Sequence, residues 1–202
     1  QTRLDGLGIA PDPLYGPFQG GWAGFLSYEL GRTFEDVPWP GSELHPKIGL
    51  WPDLWLGLYD TVAVFDALMK QAFIVSWGIS DRASLSEALG QVKAAALAQR
   101  LESKPLPSGI MAGLGLKPTR DRANAEQAIA QTVRYIHDGD IFQANISIGF
   151  SGTLAEHDTP LDLFVRLIAR HPSPFATFLS LGDLAIVSHS PERFLSRTTS
   201  GQ

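Results

Sequence analysis

Residues 175–189 read FATFLSLGDLAIVSH, and this stretch decides the fold class. Two apolar runs, Phe175–Leu181 and Leu184–His189, flank a Gly-Asp dipeptide, which is a turn signal of two-residue β-hairpins. Earlier in the chain, the apolar runs Leu54–Asp66 and Gln71–Trp77 enclose a four-residue break and predict a second hairpin. Hairpins join strands that run in opposite directions, so the sequence predicts antiparallel sheet.

Three helices are predicted between and beside these hairpins. The first is marked by a capping box at residues 84–87, the second by a helical period over 124–137, and the third by the pair Thr159-Pro160. Gly139 fits a left-handed C-terminal cap of the second helix. Because regular strand–helix alternation is missing, we predict an α+β fold, mainly antiparallel sheet with packed helices. The predicted apolar positions are Leu85, Ala88, Leu89, Val92 and Ala96 in the first helix, Ala125, Ile129, Val133 and Ile136 in the second, and Leu161, Phe164, Val165 and Ile168 in the third.

Residues 142–150 alternate in polarity and are predicted to form a strand. The polar positions of this strand are open to two interpretations: a solvated face, or the lining of a cleft that offers amide donors and acceptors to a ligand. The apolar face is Phe142, Ala144, Ile146, Ile148 and Phe150, and the polar face is Gln143, Asn145 and Ser147.

A second polar segment, Ser190-Pro191-Glu192-Arg193-Phe194, follows the last apolar strand. Glu192 is either a surface carboxylate paired with Arg193, which contributes little to stability, or a partly buried general acid. The residues alone leave both interpretations open.

Glycine and proline outline the organisation of the chain. The segment Gly20–Gly31 predicts a strand whose glycines admit a neighbouring backbone, and loops rich in both residues are predicted at 1–21 and 37–53. A connection with three prolines is predicted at 103–118. We therefore divide the chain into domains at 1–117 and 118–202.

Composition excludes several functional classes. The 202 residues are 44% hydrophobic and 18% charged, a balance typical of packed globular proteins. Cysteine is absent, which excludes disulfides, thiolate zinc sites and a cysteine nucleophile. The net charge of −5 argues against nucleic-acid binding, and no apolar run approaches the ~18 residues of a membrane span. A dinucleotide or P-loop glycine motif is also missing. The absence of cysteine fits a reducing compartment, and we expect a cytoplasmic protein.

Segments spread along the chain resemble, in order, the motifs of the chorismate-utilising enzymes. Residues 20–32 resemble the glycine-rich strand of that family, and 139–145 its Gly-Asp-x-x-Gln motif. Residues 171–175 resemble its Asn-Pro-Ser-Pro-Tyr segment, with His171 in place of Asn, and 190–194 match its Ser-Pro-Glu motif. The resemblance implies the α+β fold of anthranilate synthase component I and aminodeoxychorismate synthase, here incomplete, because the chain covers about the middle of the family's length.

Within the family, the aminodeoxychorismate synthase component I branch is most similar. Ala144-Asn145, Arg193-Phe194 and Tyr28–Arg32 favour it. Two alternatives remain open: anthranilate synthase component I, and a non-catalytic fragment that docks a glutaminase. Isochorismate and salicylate synthases resemble the chain less, because they carry Lys at the position of Gln143.

The resemblance also implies roles for individual residues. Glu192 would be the catalytic general acid, for which it must be partly buried, and Gln143 and Ser190 would bind substrate. Pro174 and Phe175 match positions of a tryptophan pocket. The substrate would be chorismate, magnesium would hold its carboxylate, and a glutaminase subunit would supply ammonia. We expect the magnesium ligands and a substrate-attacking lysine to lie beyond Gln202, so the chain alone is expected to be inactive.

Overall fold

The computed structural model describes residues 12–36, 51–80, 84–102 and 113–196. The chain divides into two compact units, Gln1–Pro105 and Leu106–Gln202, whose boundary falls in the predicted connection at 103–118. The assignment of 1–117 and 118–202 to family domains stays a prediction. Most of the predicted loop at 37–53 lies outside the described residues.

The first unit contains two antiparallel strand pairs and one helix. The predicted hairpin is confirmed, but Asp60 divides the run 54–66 into two strands that belong to different sheets. Helix α1 packs against the second pair, β3 and β4. The bounds are β1 Gly21–Leu26, β2 Leu54–Tyr59, β3 Thr61–Asp66, β4 Gln71–Ser76 and α1 Glu87–Glu102.

Strands β1 and β2 pair at a glycine, as the sequence predicts. Gly24 lies opposite Leu56, and a Cβ atom on Gly24 would stand 1.9 Å from the carbonyl oxygen of Trp55. No side chain fits at that distance, so the close pairing of the two backbones requires glycine there.

Helix α1 begins later than the capping box predicts. Leu85 forms an isolated bridge with Ile79, and the Ser86 amide donates to the Gly78 carbonyl at 3.1 Å, so this segment is held extended. Ser86 takes the capping role instead of Ser84, and its Oγ accepts from the Leu89 amide at 3.3 Å. The predicted stripe is therefore partly wrong: Val92 is 66% exposed, and the half-buried apolar positions are Leu89, Ala94, Leu97 and Ala98.

Asp60 joins the two sheets of the first unit to α1. Its carboxylate accepts hydrogen bonds from the Lys93 ammonium and from the Ile79 amide at 3.1 Å, while Lys93 also donates to the Ile79 carbonyl at 3.0 Å. Burial opposes ionisation of Asp60, but the hydrogen bond and positive charge of Lys93, together with hydrogen bonds from Thr61 and the Ile79 amide, hold the pKa below its usual 3.8. These hydrogen bonds hold the junction between β2 and β3 against α1.

The second unit carries two helices and two strand pairs. The second predicted helix starts two residues earlier than expected, because Asp121 caps it and accepts from the Asn124 amide at 2.9 Å. Gly139, at φ 83°, forms the predicted left-handed cap. The third predicted helix and the closing hairpin are confirmed. The bounds are β5 Lys117–Pro118, α2 Arg122–Asp138, β6 Phe150–Ser151, α3 Pro160–Arg170, β7 Phe175–Leu181 and β8 Leu184–Ser190.

The predicted strand at 142–150 is wrong for all but its last residue. Only Phe150–Ser151 pairs, with Lys117–Pro118, and the Thr119 amide adds one bond to the Gly149 carbonyl at 2.8 Å. The partner strand then leaves the ladder, because Asp121 caps α2. Residues 142–149 therefore form no ladder inside the described part of the chain.

Apolar burial is sparse in both units. Ala125 is the only apolar residue of the described ranges whose exposure falls to the level of a core residue. Helices and antiparallel sheets together confirm the α+β prediction. None of the helices described is long and apolar enough to cross a membrane.

Substituting Gly24→Ala tests the close approach of β1 to β2. We expect the free energy of unfolding to fall by roughly 2 kcal/mol or more, because forcing extra atoms into a packed site costs about 1–3 kcal/mol. Urea unfolding followed by tryptophan fluorescence measures it, because all five tryptophans lie between Trp22 and Trp77 in the first unit. Gly31→Ala is the matched control, since nothing lies within 4 Å of its added methyl group. Equal effects of the two substitutions would contradict the packing argument.

Substituting Lys93→Met tests the bond between Asp60 and α1. The Lys93 and Asp60 side chains are 34% and 20% exposed. After allowing for solvent screening, we expect the free energy of unfolding to fall by about 1 kcal/mol at pH 7. A carboxyl with a lowered pKa stabilises the fold above its unfolded pKa and loses that contribution as pH falls through its folded pKa. The difference in free energy of unfolding between Lys93→Met and the unaltered chain should therefore shrink below pH 3.8. Lys70→Met, in an exposed turn, is the control, and a loss that persists in acid would exclude the ion pair as its cause.

Candidate functional site

The β7–β8 hairpin brings two of the predicted site segments to one end of a sheet. Its two-residue turn at Gly182-Asp183 fixes the register, so Leu181 pairs with Leu184 and Phe175 pairs with Ser190. The segment that enters β7, His171–Phe175, therefore lies beside the segment that leaves β8, Ser190–Phe194.

Three hydrogen bonds fix the geometry at this end of the hairpin. The Ser173 hydroxyl donates to the Ser190 carbonyl, and His189 Nε2 bonds the His171 carbonyl. The Ser190 hydroxyl in turn donates to the Glu192 carbonyl at 3.1 Å and turns the chain beyond β8. The side chains of Ser173, His189 and Ser190 thus bond backbone groups and set the path of the chain.

Helix α3 supports this end of the hairpin. Thr159 and Asp162 form a capping box at its start, with the Asp162 amide donating to the Thr159 hydroxyl at 3.2 Å. The Thr159 hydroxyl donates to the Asp162 carboxylate and lowers the pKa of Asp162. Phe164 packs on Phe178 of β7 with ring centroids 5.8 Å apart. The helix ends at His171, where the candidate site begins.

Glu192 stands exposed at the end of β8, and the partial burial expected of a general acid is not provided by the described residues. The alternative interpretation, pairing with Arg193, does not hold either. The Arg193 guanidinium carbon lies 5.3 Å from the ring centroid of Phe175, in a cation–π contact. Arg193 therefore braces Phe175, and Glu192 is the carboxylate presented outward. Its catalytic role stays a prediction.

Gln143 is not joined to the hairpin segments. It lies in the exposed stretch 141–150, and within the described ranges its side chain forms no hydrogen bond to Ser190 or Glu192. The α2 cap sets the beginning of this stretch, since the Asp140 amide donates to the Tyr135 carbonyl at 3.0 Å. The substrate-binding roles expected of Gln143 and Ser190 stay predictions.

The tryptophan-pocket positions differ in their surroundings. Pro174 is exposed, whereas Phe175 is half-buried beneath Arg193. The sequence did not predict the hydrogen bonds of Ser173 and His189 or the Arg193–Phe175 contact. Counting outward from the turn dipeptide pairs Phe175 with Ser190, so the hairpin register held the signal for this juxtaposition.

Magnesium, which the family resemblance implies, is not accommodated by the described residues. Within ranges 12–36, 51–80, 84–102 and 113–196, no three acidic or histidine side chains gather where they could share an ion. Glu192 is a single carboxylate, and magnesium takes several oxygen ligands in octahedral geometry. No chemical step is assigned to a metal here.

Comparison with known families agrees with the sequence motifs. Residues 4–202 match the family described as chorismate binding enzyme. Since the match spans nearly the whole chain, the protein belongs to the chorismate binding enzyme family.

Relatives in two branches of the family are similar to the chain. Anthranilate synthase component 1 of Thermus thermophilus is 34% identical over 184 residues, covering 89% of the chain and 37% of the relative. Aminodeoxychorismate synthase component 1 of Salmonella typhimurium is 31% identical over 198 residues, covering 96% and 39%. The chloroplastic anthranilate synthase alpha subunit 1 of Oryza sativa subsp. indica is 31% identical, covering 87% and 32%. The chain thus spans less than two fifths of these relatives, and identity alone does not choose a branch.

A solved structure has the same fold. The crystal structure of anthranilate synthase component I from Streptococcus pneumoniae TIGR4 superimposes with a TM-score of 0.75 over 91% of the chain and 41% of the other protein. The sequence identity of 23% supports a likeness of fold alone. This likeness confirms the predicted fold class.

Substituting Ser173→Ala tests the tie between the two site segments. Loss of one hydrogen bond, worth about 1 kcal/mol, should raise the hydrogen-exchange rate of the ladder amides at the Phe175–Ser190 end of the hairpin roughly fivefold. Ser180→Ala, on an exposed position of the same hairpin, is the matched control. Unchanged exchange in Ser173→Ala would mean that the hairpin ladder alone holds the segments together.

Proposed function

We propose that the chain is part of component I of an aminodeoxychorismate synthase, which converts chorismate and ammonia to 4-amino-4-deoxychorismate for folate synthesis. The observation that carries this proposal is the hairpin register, because it sets His171–Phe175 beside Ser190–Phe194. Two motifs of one family, which flank a single hairpin in the sequence, thereby share one end of a sheet, as parts of a common pocket would. Family membership supplies the chorismate substrate class.

Three features favour this branch. Ala144-Asn145 after Gln143, Arg193-Phe194 after Glu192, and Tyr28–Arg32 resemble aminodeoxychorismate synthases more than anthranilate synthases. The neutral amide of Gln143 cannot serve as a general base, which argues against a reaction that adds water to chorismate.

Glu192 is the proposed general acid. Its protonated carboxyl would give a proton to the departing C4 hydroxyl, which leaves as water, and the carboxylate would then accept a proton from the incoming nitrogen. Because Glu192 is exposed in this structure, the proposal requires further protein surface over it to exclude water. Dependence on magnesium and ammonia supply by a glutaminase subunit belong to the same proposal and rest on the family resemblance.

Anthranilate synthase component I is the second candidate, because relatives of that name match the chain at an identity similar to that of aminodeoxychorismate synthases. The Thermus thermophilus relative is 34% identical and the Salmonella typhimurium relative is 31% identical. Both enzymes would use chorismate and ammonia, so the product distinguishes them. A glutaminase-docking fragment would bind its partner without turnover.

The test is a product assay on the gene product as the cell makes it, supplied with chorismate, ammonium and magnesium. We expect 4-amino-4-deoxychorismate, identified by mass and by chromatography. Glu192→Gln should lower kcat by about 10²–10⁴-fold, the range that a general acid contributes. Glu156→Gln, an exposed carboxylate in the loop before α3, is the control and should retain activity.

Each other outcome contradicts a different part of the proposal. Anthranilate as product would assign the protein to the tryptophan branch. Full activity of Glu192→Gln would remove the general-acid role. Glutaminase binding without conversion of chorismate would favour the docking fragment. For the 202-residue chain tested alone we expect no turnover, and magnesium-dependent conversion by it would overturn that expectation.

A further inference from the structure

Proline ends the β7–β8 ladder on both strands at the same level. The last pair is Phe175 with Ser190, and Pro174 precedes this pair on one strand while Pro191 follows it on the other. Because proline has no backbone N–H group, neither position can supply an amide donor that extends the ladder. The path of the chain beyond this end of the sheet therefore depends on side-chain hydrogen bonds.

The carbonyl group of His171 receives one of these bonds. His171 is the C-cap of α3, where the last carbonyl groups of a helix lack donors within the helix. Pro172 follows and prevents the helix from continuing. His189 Nε2 bonds the His171 carbonyl from strand β8. A carbonyl oxygen can only accept, so the Nε2 atom of His189 carries the hydrogen.

His189 occupies a position in β8 that packing alone could fill. Val187, two residues earlier, pairs with Phe178, whose ring packs on Phe164 of α3. Side chains alternate along a strand, so residue 189 lies on the same face as Val187 and is half-buried there. An apolar residue would extend this contact with α3, whereas histidine adds a donor that reaches the end of the helix.

The hydrogen bonds of His189 and Ser173 cross between the two segments in opposite directions. His189 donates to the His171 carbonyl, and Ser173 donates back to the Ser190 carbonyl. The Ser190 hydroxyl then donates to the Glu192 carbonyl at 3.1 Å. A displacement of His171 would therefore be transmitted through Ser173 and Ser190 to the backbone of Glu192.

We propose that His189 is a positioning residue, whose Nε2–H group fixes the His171–Phe175 segment and thereby sets where Glu192 leaves the sheet. The link to catalysis rests on the proposed function, in which Glu192 is the general acid. His189 acts through the backbone of the segment and does not contact the substrate in this role. Misplacing a general acid slows proton transfer more than it weakens substrate binding, so the effect falls on kcat.

The first test is hydrogen exchange of the Ala176 amide in the 202-residue chain. This amide donates to the Ser173 carbonyl at 3.2 Å, so its exchange reports whether the segment keeps its conformation. We expect His189→Phe, which keeps a ring and loses the N–H group, to raise the exchange rate about fivefold. His157→Phe, in the exposed turn before α3, is the control and should leave the rate unchanged. An unchanged rate in His189→Phe would overturn the proposal.

Two amide variants separate the hydrogen bond from packing of the ring. His189→Gln places an amide N–H group near the position of Nε2 and should restore slow exchange of the Ala176 amide. His189→Asn carries the same group on a side chain one methylene shorter, which should not reach the His171 carbonyl. Equal exchange rates in these two variants would overturn the proposal, because the reach of the donor would then have no effect.

The second test assays the same variants for conversion of chorismate in the gene product as the cell makes it. We expect His189→Phe to lower kcat about tenfold while KM changes less than about twofold, and His189→Gln to recover kcat. Faster exchange with an unchanged kcat would overturn the link to Glu192. If the unaltered protein does not convert chorismate, the proposed function fails, and the exchange rates still decide whether His189 holds the segment.

Discussion

A two-stranded sheet leaves both of its outer edges and one or both faces for other elements to cover, and each of the four sheets that the described residues form is two-stranded. Helix α1 covers one face of β3–β4, and α3 covers one face of β7–β8. The β1–β2 pair has no helix packed on it among the described elements, and its large side chains Trp22, Leu54 and Leu56 remain substantially exposed. The scarcity of fully buried apolar residues follows from this arrangement, because apolar faces of small sheets need a second layer.

The candidate site is subject to the same constraint. The hairpin β7–β8 is complete within itself, so it holds His171–Phe175 and Ser190–Phe194 together through its own register and through hydrogen bonds to their backbones. Gln143 belongs to a segment that has no partner strand in the described structure, and it stands apart. Glu192 lies two residues beyond Ser190 and is exposed among the described residues. The chemistry proposed for the family member therefore depends on surfaces that complete the sheets.

Elements with local signals were predicted well. The Gly-Asp turn, the helix start at Thr159-Pro160 and the Gly139 cap each rest on a few neighbouring residues, and the structure confirms all three. The capping box at 84–87 was wrong because residues 78–80 hold Leu85 and Ser86 in an extended pairing, a contact that helical periodicity does not report. The alternation at 142–150 predicted a strand that the structure does not form over 142–149, because alternation cannot provide the neighbouring strand on which a ladder depends.

By itself, the sequence determined the fold class, the turns, most helix ends and the family, because these depend on local backbone preferences, periodicity and ordered motifs. The tertiary structure alone decided which segments meet. It set Arg193 over Phe175 rather than against Glu192, fastened Asp60 to Lys93, and left Gln143 unpaired. These outcomes depend on contacts between residues far apart in the chain, and their free energies arise only when the elements pack.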